Sequence, residues 1–492
     1  MHFNSMNDLT ADFPIEQLIA NADRMVDLAR RNTCDKQLPL SKAVLLFMEA
    51  STRTQYSTQQ AAMNLGMRHT MVSGTEHTSV MKGESFADTF RMFAGQGARI
   101  LALRTKIEGA PLFAARVCQQ YINDISVINP GPVSIINCGD GRQWHPTQTV
   151  LDMLTIQRTL GRLENFTLGI MGDLGKGRTS HTLLQAFRNR PEMKFVFVSP
   201  KGFEMPVRYK HGLTNVTESD SLTALAKCDV VYVTRFQLER MSEEERMFIQ
   251  SVWPLYVIDQ KVLNSWQPNI LIMHPLPRKG EIAPEVSLDK RIIAFKQAEY
   301  GIPARMAIIM WLCENRFVPL ALNPEPIRLL AGEASTSVDH GKQPKHFQPV
   351  SCGTVIDHIP PGQIGTVFHI LETCRSLPDD LPRQAVQYVK SAKYQNRRKD
   401  VLLLHDFDIT DLAAACIQAT FPQATVNYLP GNETIRKRRF SVPPLLTENV
   451  HCINEACITN HDREATPRFV FLGQSGEPHL AACEYCGQPL WD

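Results

Sequence analysis

Apolar and polar positions along this chain follow two rhythms, and the change from one to the other divides it. From residue 40 onward short apolar runs alternate with amphipathic stretches, predicting strands at 43–48, 98–104, 125–129, 168–172, 194–199, 229–234, 255–259 and 269–273. Strands interleaved with helices predict parallel sheets covered on both faces. The expected fold class is therefore α/β, with two parallel-sheet α/β domains over 1–149 and 150–301. The helical pattern IPARMAIIMWLCENR (302–316), extended to 320, completes the first of them. Periodicity is then lost over 322–346, where Pro, Gly, Ser and Lys gather, and this segment reads as a linker. In the remainder GTVIDHIP, TVFHIL, AVQYVK, DVLLLHDF and ATVNYL are β-rich runs, and a helical pattern spans about 409–420, an α+β signature for 347–447. A small domain over 448–492 closes the chain, and no internal repeat is visible.

Composition narrows the function classes. At 492 residues the chain exceeds a single ordinary core. A net charge of +2, with 21% charged residues, supplies no field that would imply a nucleic-acid or anionic-membrane partner. The apolar runs are too short for a membrane span, and the polar start MHFNSMNDLT lacks a secretory apolar region, so a cytoplasmic protein is expected. Twelve cysteines do not make a disulfide scaffold in a chain of this length.

The candidate chemistry sits where open α/β sheets place their ligand crevice, just after the strands. In AVLLFMEASTRT a strand runs into Ser51, Thr52, Arg53 and Thr54 at a helix start, where N–H groups, hydroxyls and a guanidinium can converge on an anion. Standing alone, the tetrad would read as an ordinary helix cap with a solvated arginine. Arg104 ends ARILALR, and HPTQT brings His145 and Gln148 to another helix start. Beside an anion site, Arg104 and His145 could donate to a carbonyl oxygen gaining charge, although a lone histidine there is usually a cap or core residue. MGDLGKGRT has its glycines as GxxGxG without the strand-end carboxylate of a dinucleotide fingerprint, so NAD binding is rejected and Arg178 is left to bind a carboxylate. YVTRFQLER adds Arg235, Gln237 and Arg240, and IMHPLPR supplies a rigid turn whose backbone carbonyls cannot all enter a helix. Lys82, in TEHTSVMKGES, would by itself be a solvated surface lysine.

Near the C-terminus Cys452 and Cys457 form CxxxxC and Cys483 and Cys486 form CxxC. This spacing suggests one structural Zn2+ held by four thiolates, closed to water and hence not catalytic. A zinc-ribbon nucleic-acid module is the alternative for this part, since RKRRF (436–440) lies nearby.

FMEASTRT, the SxxKGE run from Ser79 to Glu84, HPTQT, GDLGKGRT, TRFQ and HPLP, in this order, resemble the catalytic chain of aspartate carbamoyltransferase. GTVIDHIP, PQATVN and the cysteine quartet resemble the regulatory chain of the same enzyme, as though both were fused through 322–346. The resemblance implies transfer of a carbamoyl group from carbamoyl phosphate to L-aspartate, giving N-carbamoyl-L-aspartate early in pyrimidine synthesis, with no catalytic metal. It implies that Ser51, Thr52, Arg53, Thr54 and Arg104 hold the phosphate, and that Thr54, Arg104 and His145 polarise the carbonyl. Gln148 with the Pro275 and Leu276 carbonyls would accept from the carbamoyl amide, while Arg178, Arg235 and Gln237 would hold aspartate. Glu49 would pair with Arg178 and Arg240 on domain closure, and Ser79 and Lys82 would reach a neighbouring subunit's site, making a homo-oligomer built on catalytic trimers. Ornithine carbamoyltransferase, which shares the phosphate loop, is the runner-up, disfavoured by HPLP and by Arg235 and Gln237. An inactive scaffold is a third reading. Asp357, His358, Lys399, Asn427 and Lys437 match positions that contact CTP or ATP in the regulatory chain. Leu403, Asn432, Pro349 and Cys352 depart from that pattern, so a weakened nucleotide response is expected.

Overall fold

The structure is a computed structural model that describes residues 2–8, 14–31, 38, 41–74, 83–124, 131–210, 212–238, 241–314, 352–374, 376–377, 386–394, 397–429, 436–438, 445–446, 450–472 and 480–490. The chain separates into two compact units, Met1–Ala321 and Leu322–Asp492.

The first unit contains two parallel sheets. One has the order β2-β1-β3-β4, built from β1 (Lys42–Phe47), β2 (Arg68–Ser73), β3 (Ile100–Thr105) and β4 (Ser134–Asp140). The other has the order β7-β6-β5-β8-β9, from β5 (Thr167–Met171), β6 (Lys194–Val198), β7 (Val216–Ser219), β8 (Val230–Val233) and β9 (Leu271–Met273). In each sheet the strand order reverses beside the first strand, between β1 and β3 and between β5 and β8. Chain segments there depart to opposite faces and leave a crevice beyond the strand ends. The helices are α1 (Ile15–Arg30), α2 (Thr52–Asn64), α3 (Phe86–Gly95), α4 (Ala110–Asp124), α5 (Pro146–Leu160), α6 (Arg178–Phe187), α7 (Val207–Lys210), α8 (Glu243–Val252), α9 (Gln260–Ser265), α10 (Ala294–Glu299) and α11 (Gly301–Glu314). Local chemistry sets their starts. Ser85 Oγ caps α3 by accepting from Asp88 N, Ser242 and Glu245 form a capping box on α8, and Pro146 opens α5, where its missing N–H costs nothing. Helix α11 packs against α1, α2 and α5 and buries Met306, Ile308, Ile309 and Trp311 on all sides, as its largely apolar sequence requires, with Arg305 the buried exception.

Most apolar runs became strands, but not all. Residues 255–259 do not: Trp253–Tyr256 is a 3-10 turn opened by Pro254, and only an isolated bridge joins Ile258 to Ile282. The expected strand at 125–129, the extension of α11 to 320 and the 322–346 linker lie outside the described residues.

The second unit holds an antiparallel sheet of order β11-β12-β10-β13-β14. Its strands are β10 (Gly353–Ile359), β11 (Val386–Tyr394), β12 (Arg397–His405), β13 (Thr425–Leu429) and β14 (Arg436–Arg438), with helices α12 (Ile364–Thr373) and α13 (Asp411–Thr420). TVFHIL, expected to be a β run, lies inside α12. Ile364, Val367, Ile370 and Leu371 are buried at helical spacing, so the 3.6-residue period outweighs the β-prone composition. A three-stranded sheet, β15 (Leu445–Leu446), β16 (Phe469–Leu472) and β17 (Leu480–Cys483), ends the chain. Among the described residues no helix is long and apolar enough to cross a membrane.

Candidate active site and metal centre

The crevice of the first unit assembles from the ends of β1, β3, β4, β5 and β8. Ser51 takes the N-cap position of α2 in extended backbone, yet its side chain makes no capping bond, which leaves the first N–H groups of the helix without a side-chain cap from it. A pocket of about 570 Å³ adjoins it, lined by Ser51, Thr52, Gln55, Tyr56 and Ser73 among others. Partial burial, and then the neighbouring Arg235 cation, draw the Arg53 guanidinium below its ordinary range. Two like charges held this close suit an anion placed between them.

His145 stands at the N-cap of α5 but does not cap it. Its buried ring points instead into the crevice, with Nε2 3.4 Å from Arg104 Nη1 and 3.5 Å from Thr54 Oγ1. Burial, and then Arg104, Arg178 and Arg305, push its pKa well below 6.5, so the imidazole is neutral. The opposite nitrogen, Nδ1, lies 3.4 Å from Thr147 Oγ1, and that oxygen accepts from Arg305 Nη2 at 3.1 Å. The Thr147 hydroxyl keeps a second lone pair beside the one Arg305 engages, so it can either donate to Nδ1 or accept from it. Thr54 Oγ1, Arg104 Nη1 and His145 Nε2 thus surround one point, where the hydroxyl and the guanidinium can donate to an oxygen that gains negative charge.

Glu49 joins the two sheets. Its Oε2 lies 3.0 Å from Arg178 Nη1 and 3.4 Å from Arg104 Nη2. Arg178 Nη1 also donates to Gly141 O, and Arg104 Nη1 to Cys138 O, both at 3.0 Å. The close packing of both guanidiniums explains Gly139, whose φ is +119°: a Cβ there would fall 3.0 Å from Arg104 Nη1 and 3.1 Å from Arg178 Cζ. Gln237 Nε2 donates to Lys176 O at 2.7 Å, so in this structure the amide that was expected to face aspartate is tied to the β5–α6 loop. Gln148 Nε2 donates to Asp152 Oδ1 at 2.9 Å, and Asp152 is raised to about 7 by burial, against the pull of bonds from Gln297, Tyr232 and Gln148. In the HPLP turn Leu276 N donates to His274 Nδ1, and His274 N donates to Gln297 Oε1, while Pro275 and Leu276 remain partly exposed.

Glu49, Ser51, Thr52, Arg53, Thr54, Arg104, His145, Gln148, Arg178, Arg235, Gln237, Pro275 and Leu276 all lie on strand-end segments of these two sheets. Ser79, Lys82 and Arg240 lie outside the described residues. The motif reading missed Gly139, Thr147, Asp152 and Arg305. Only Asp152 left a signal, a carboxylate one helical turn after Gln148.

In the second unit the Sγ atoms of Cys452, Cys457, Cys483 and Cys486 lie within 4.8 Å of one another, all four residues buried. Two of the separations are 3.5 Å (Cys452–Cys486) and 3.8 Å (Cys457–Cys483). Four sulfurs at about 2.3 Å from a central ion would be roughly 3.8 Å apart, so the quartet fits a tetrahedral metal. On the larger sheet Lys399 Nζ lies 2.7 Å from Asp357 Oδ2, His358 Nδ1 lies 3.3 Å from the same oxygen, and Asn427 Nδ2 donates to Val355 O. Leu403 is 8% exposed. Lys437 pairs with Asn427 in register, and Asn432 and Pro349 lie outside the described residues.

The fold and crevice are those of a two-sheet α/β enzyme whose strand ends gather arginines, followed by an antiparallel sheet and a cluster of four cysteines. Family models match the four parts in order. They are the carbamoyl-P binding domain of aspartate/ornithine carbamoyltransferase over 1–158, its Asp/Orn binding domain over 164–312, and the allosteric and metal-binding domains of the aspartate carbamoyltransferase regulatory chain over 346–441 and 446–491. The catalytic subunit of aspartate carbamoyltransferase from Lachnoclostridium phytofermentans is 39% identical over 277 residues, covering 55% of this chain and 85% of that one. The Methanobrevibacter smithii catalytic subunit is 36% identical, covering 61% and 91%. Among solved structures, the catalytic subunit of M. jannaschii aspartate transcarbamoylase is 35% identical with a TM-score of 0.56, over 64% of this chain and 99% of that one. The Trypanosoma cruzi enzyme in complex with carbamoyl phosphate and aspartate is 28% identical with a TM-score of 0.56, over 63% and 94%. The chain belongs to the aspartate carbamoyltransferase family, with catalytic-type domains followed in one polypeptide by regulatory-type domains. These relatives are aspartate enzymes, which does not favour the ornithine alternative.

Proposed function

We propose that this chain transfers the carbamoyl group of carbamoyl phosphate to L-aspartate, yielding N-carbamoyl-L-aspartate and phosphate early in pyrimidine synthesis. The observation that carries the reading is the convergence of Thr54, Arg104 and a neutral His145 on one point beside the helix terminus at Ser51–Arg53. In this reading the phosphate binds the α2 N-terminus with Ser51, Thr52, Arg53, Thr54 and Arg104. The carbonyl oxygen replaces the Arg104–His145 contact, and the neutral imidazole, in its Nε2–H tautomer, donates to that oxygen without surrendering its proton, so it stabilises the tetrahedral oxyanion as a fixed dipole. Gln148 Oε1 and the Pro275 and Leu276 carbonyls accept from the carbamoyl NH2. Arg178, Arg235 and Gln237 hold the two carboxylates of aspartate and aim its deprotonated amine at the carbonyl carbon. The amine attacks, the C–O bond to phosphate breaks, and the proton shed by the amine passes to the departing phosphate, which leaves as the hydrogenphosphate dianion. Glu49 already bridges Arg104 and Arg178, and Arg240 joins it when the domains close.

The same reading makes the protein cytoplasmic and a homo-oligomer of catalytic trimers in which Ser79 and Lys82 enter the neighbouring site. The metal is zinc, held by four thiolates and purely structural, because a closed sulfur shell has no position for water. Asp357, His358, Lys399, Asn427 and Lys437 form a remnant nucleotide face on which CTP and ATP bind weakly. The test uses two inactive chains, Arg53→Ala and Lys82→Ala, mixed and reassembled. The mixture should form N-carbamoyl-L-aspartate and phosphate in equal amounts where each parent does not. Loss of product formation in the unmodified protein would remove the activity, and a silent mixture would remove the shared site.

A further inference from the structure

One buried carboxylate behind the crevice has a role that the reaction above does not assign. Asp152 lies in α5, one turn beyond Gln148, and is fully buried whereas Gln148 is partly exposed. Its Oδ1 accepts from Gln148 Nε2 at 2.9 Å and from Gln297 Nε2 at 2.6 Å, and its Oδ2 accepts from Tyr232 OH at 2.8 Å. Gln297 passes the connection on, because its Oε1 accepts from His274 N at the head of the HPLP turn.

A glutamine amide is nearly symmetric in shape and wholly asymmetric in polarity. Nothing steric decides whether oxygen or nitrogen faces a ligand. A carboxylate accepts and does not donate, so it draws Nε2 inward and turns Oε1 toward the crevice. We propose that Asp152 is a positioning residue that sets the polarity of the Gln148 amide, and thereby the preference of the site for an acyl phosphate bearing NH2 over one bearing CH3. The inference rests on the carbamoyl-transfer reading. Through Gln297 the same carboxylate also steadies the turn that carries the Pro275 and Leu276 carbonyls, so both sets of acceptors for the carbamoyl NH2 hang on one anchor. A site built to accept from an N–H discriminates strongly against an analogue lacking it, because its own acceptors are then left unpaired.

The experiment uses the full chain at pH 8, above the value of about 7 to which burial lifts Asp152. It compares the KM for carbamoyl phosphate with the inhibition constant of acetyl phosphate, and uses inorganic phosphate as a probe of the anion site alone. Asp152→Asn and Asp152→Ser each replace an acceptor-only group with one that can also donate, so either variant that folds decides the matter. The preference for carbamoyl phosphate over acetyl phosphate should fall by about tenfold, with phosphate inhibition unchanged. In a Gln148→Met background, where the amide is gone, the same substitutions should lower it far less, through Gln297 and the HPLP turn alone. An unchanged preference in the single variants, a parallel loss of phosphate affinity, or an undiminished effect in the Gln148→Met background would each overturn the proposal. Absence of carbamoyl transfer in the unsubstituted protein would instead remove the reading beneath it.

Discussion

The crevice of the first unit and the face of the larger sheet in the second present similar residue types, but the first has surplus positive charge and the second pairs its charges. In the crevice one carboxylate, Glu49, meets both Arg104 and Arg178, and Arg53 stands near enough to Arg235 to have its pKa depressed. Cations exceed anions there, which suits ligands carrying several negative charges. On the second face Asp357 is matched by Lys399 at 2.7 Å, and an apolar side chain, Leu403, is buried four residues beyond that lysine. A polar pair that satisfies itself has little left to offer a polyphosphate, and leucine adds nothing but a place where charge is costly. Surplus charge, more than the presence of charged residues, separates the two.

The largest effects should come from cutting into the surplus side. Arg104→Ala and His145→Ala each remove a donor from the converging trio, and each should lower kcat by about 10²–10³-fold in steady-state assays. A loss of less than about fivefold from either would mean that the trio does not stabilise the reacting oxygen. Stripping the metal from Cys452, Cys457, Cys483 and Cys486 with a thiol-reactive mercurial should unfold the 450–490 segment, since metal binding supplies much of the folding energy of such small sites. Carbamoyl transfer should stay within about twofold, and a rate that declined in step with metal release while the oligomer stayed intact would contradict a purely structural ion.

A smaller effect is expected on the second face. Inhibition can be no larger than the nucleotide's differential affinity for two states, so millimolar CTP at subsaturating aspartate should lower the rate by less than about twofold. Strong inhibition relieved by Asp357→Ala would show that the Asp357–Lys399 pair opens to ligand. The smallest expected signal is none at all. Burial and the surrounding arginines hold His145 well below the ordinary value of 6.5, so its ring nitrogen resonances should not titrate between pH 6 and 8, and a midpoint near 6.5 would contradict that environment. The sign for stability follows: the unfolded chain takes up this proton first, so the contribution of His145 is present above about pH 6.5 and is lost as pH falls below it.

How much of this was legible depended on where burial agreed with local pattern. β1, β3, β5, β6, β8 and β9 announce themselves as apolar runs because most of their residues are interior. β2 and β7 are edge strands with half-exposed polar residues, and β4 (SIINCGD) is wholly buried yet polar, since Asn137 and Asp140 bond to each other and to nearby backbone. Neither kind carries a hydrophobic signature. The 253–256 turn and α12 mislead for the reverse reason, because apolar content without a count of its period does not separate strand from helix. The site was legible as an order of motifs, each following a strand. What stayed hidden was pairing across sequence distance: Glu49 with Arg104, Arg305 with Thr147, and Gln297 with Asp152, the last two bonded over 158 and 145 residues.

The surplus cations of the crevice should select a dicarboxylate amine. Steady-state kcat/KM for L-aspartate and for L-ornithine, measured on the same purified full chain with saturating carbamoyl phosphate, tests it most directly. Arg178 and Arg235 attract the second carboxylate of aspartate and repel the side-chain ammonium of ornithine. Aspartate should be preferred by at least about a thousandfold on that account, and comparable or greater turnover of ornithine would contradict it.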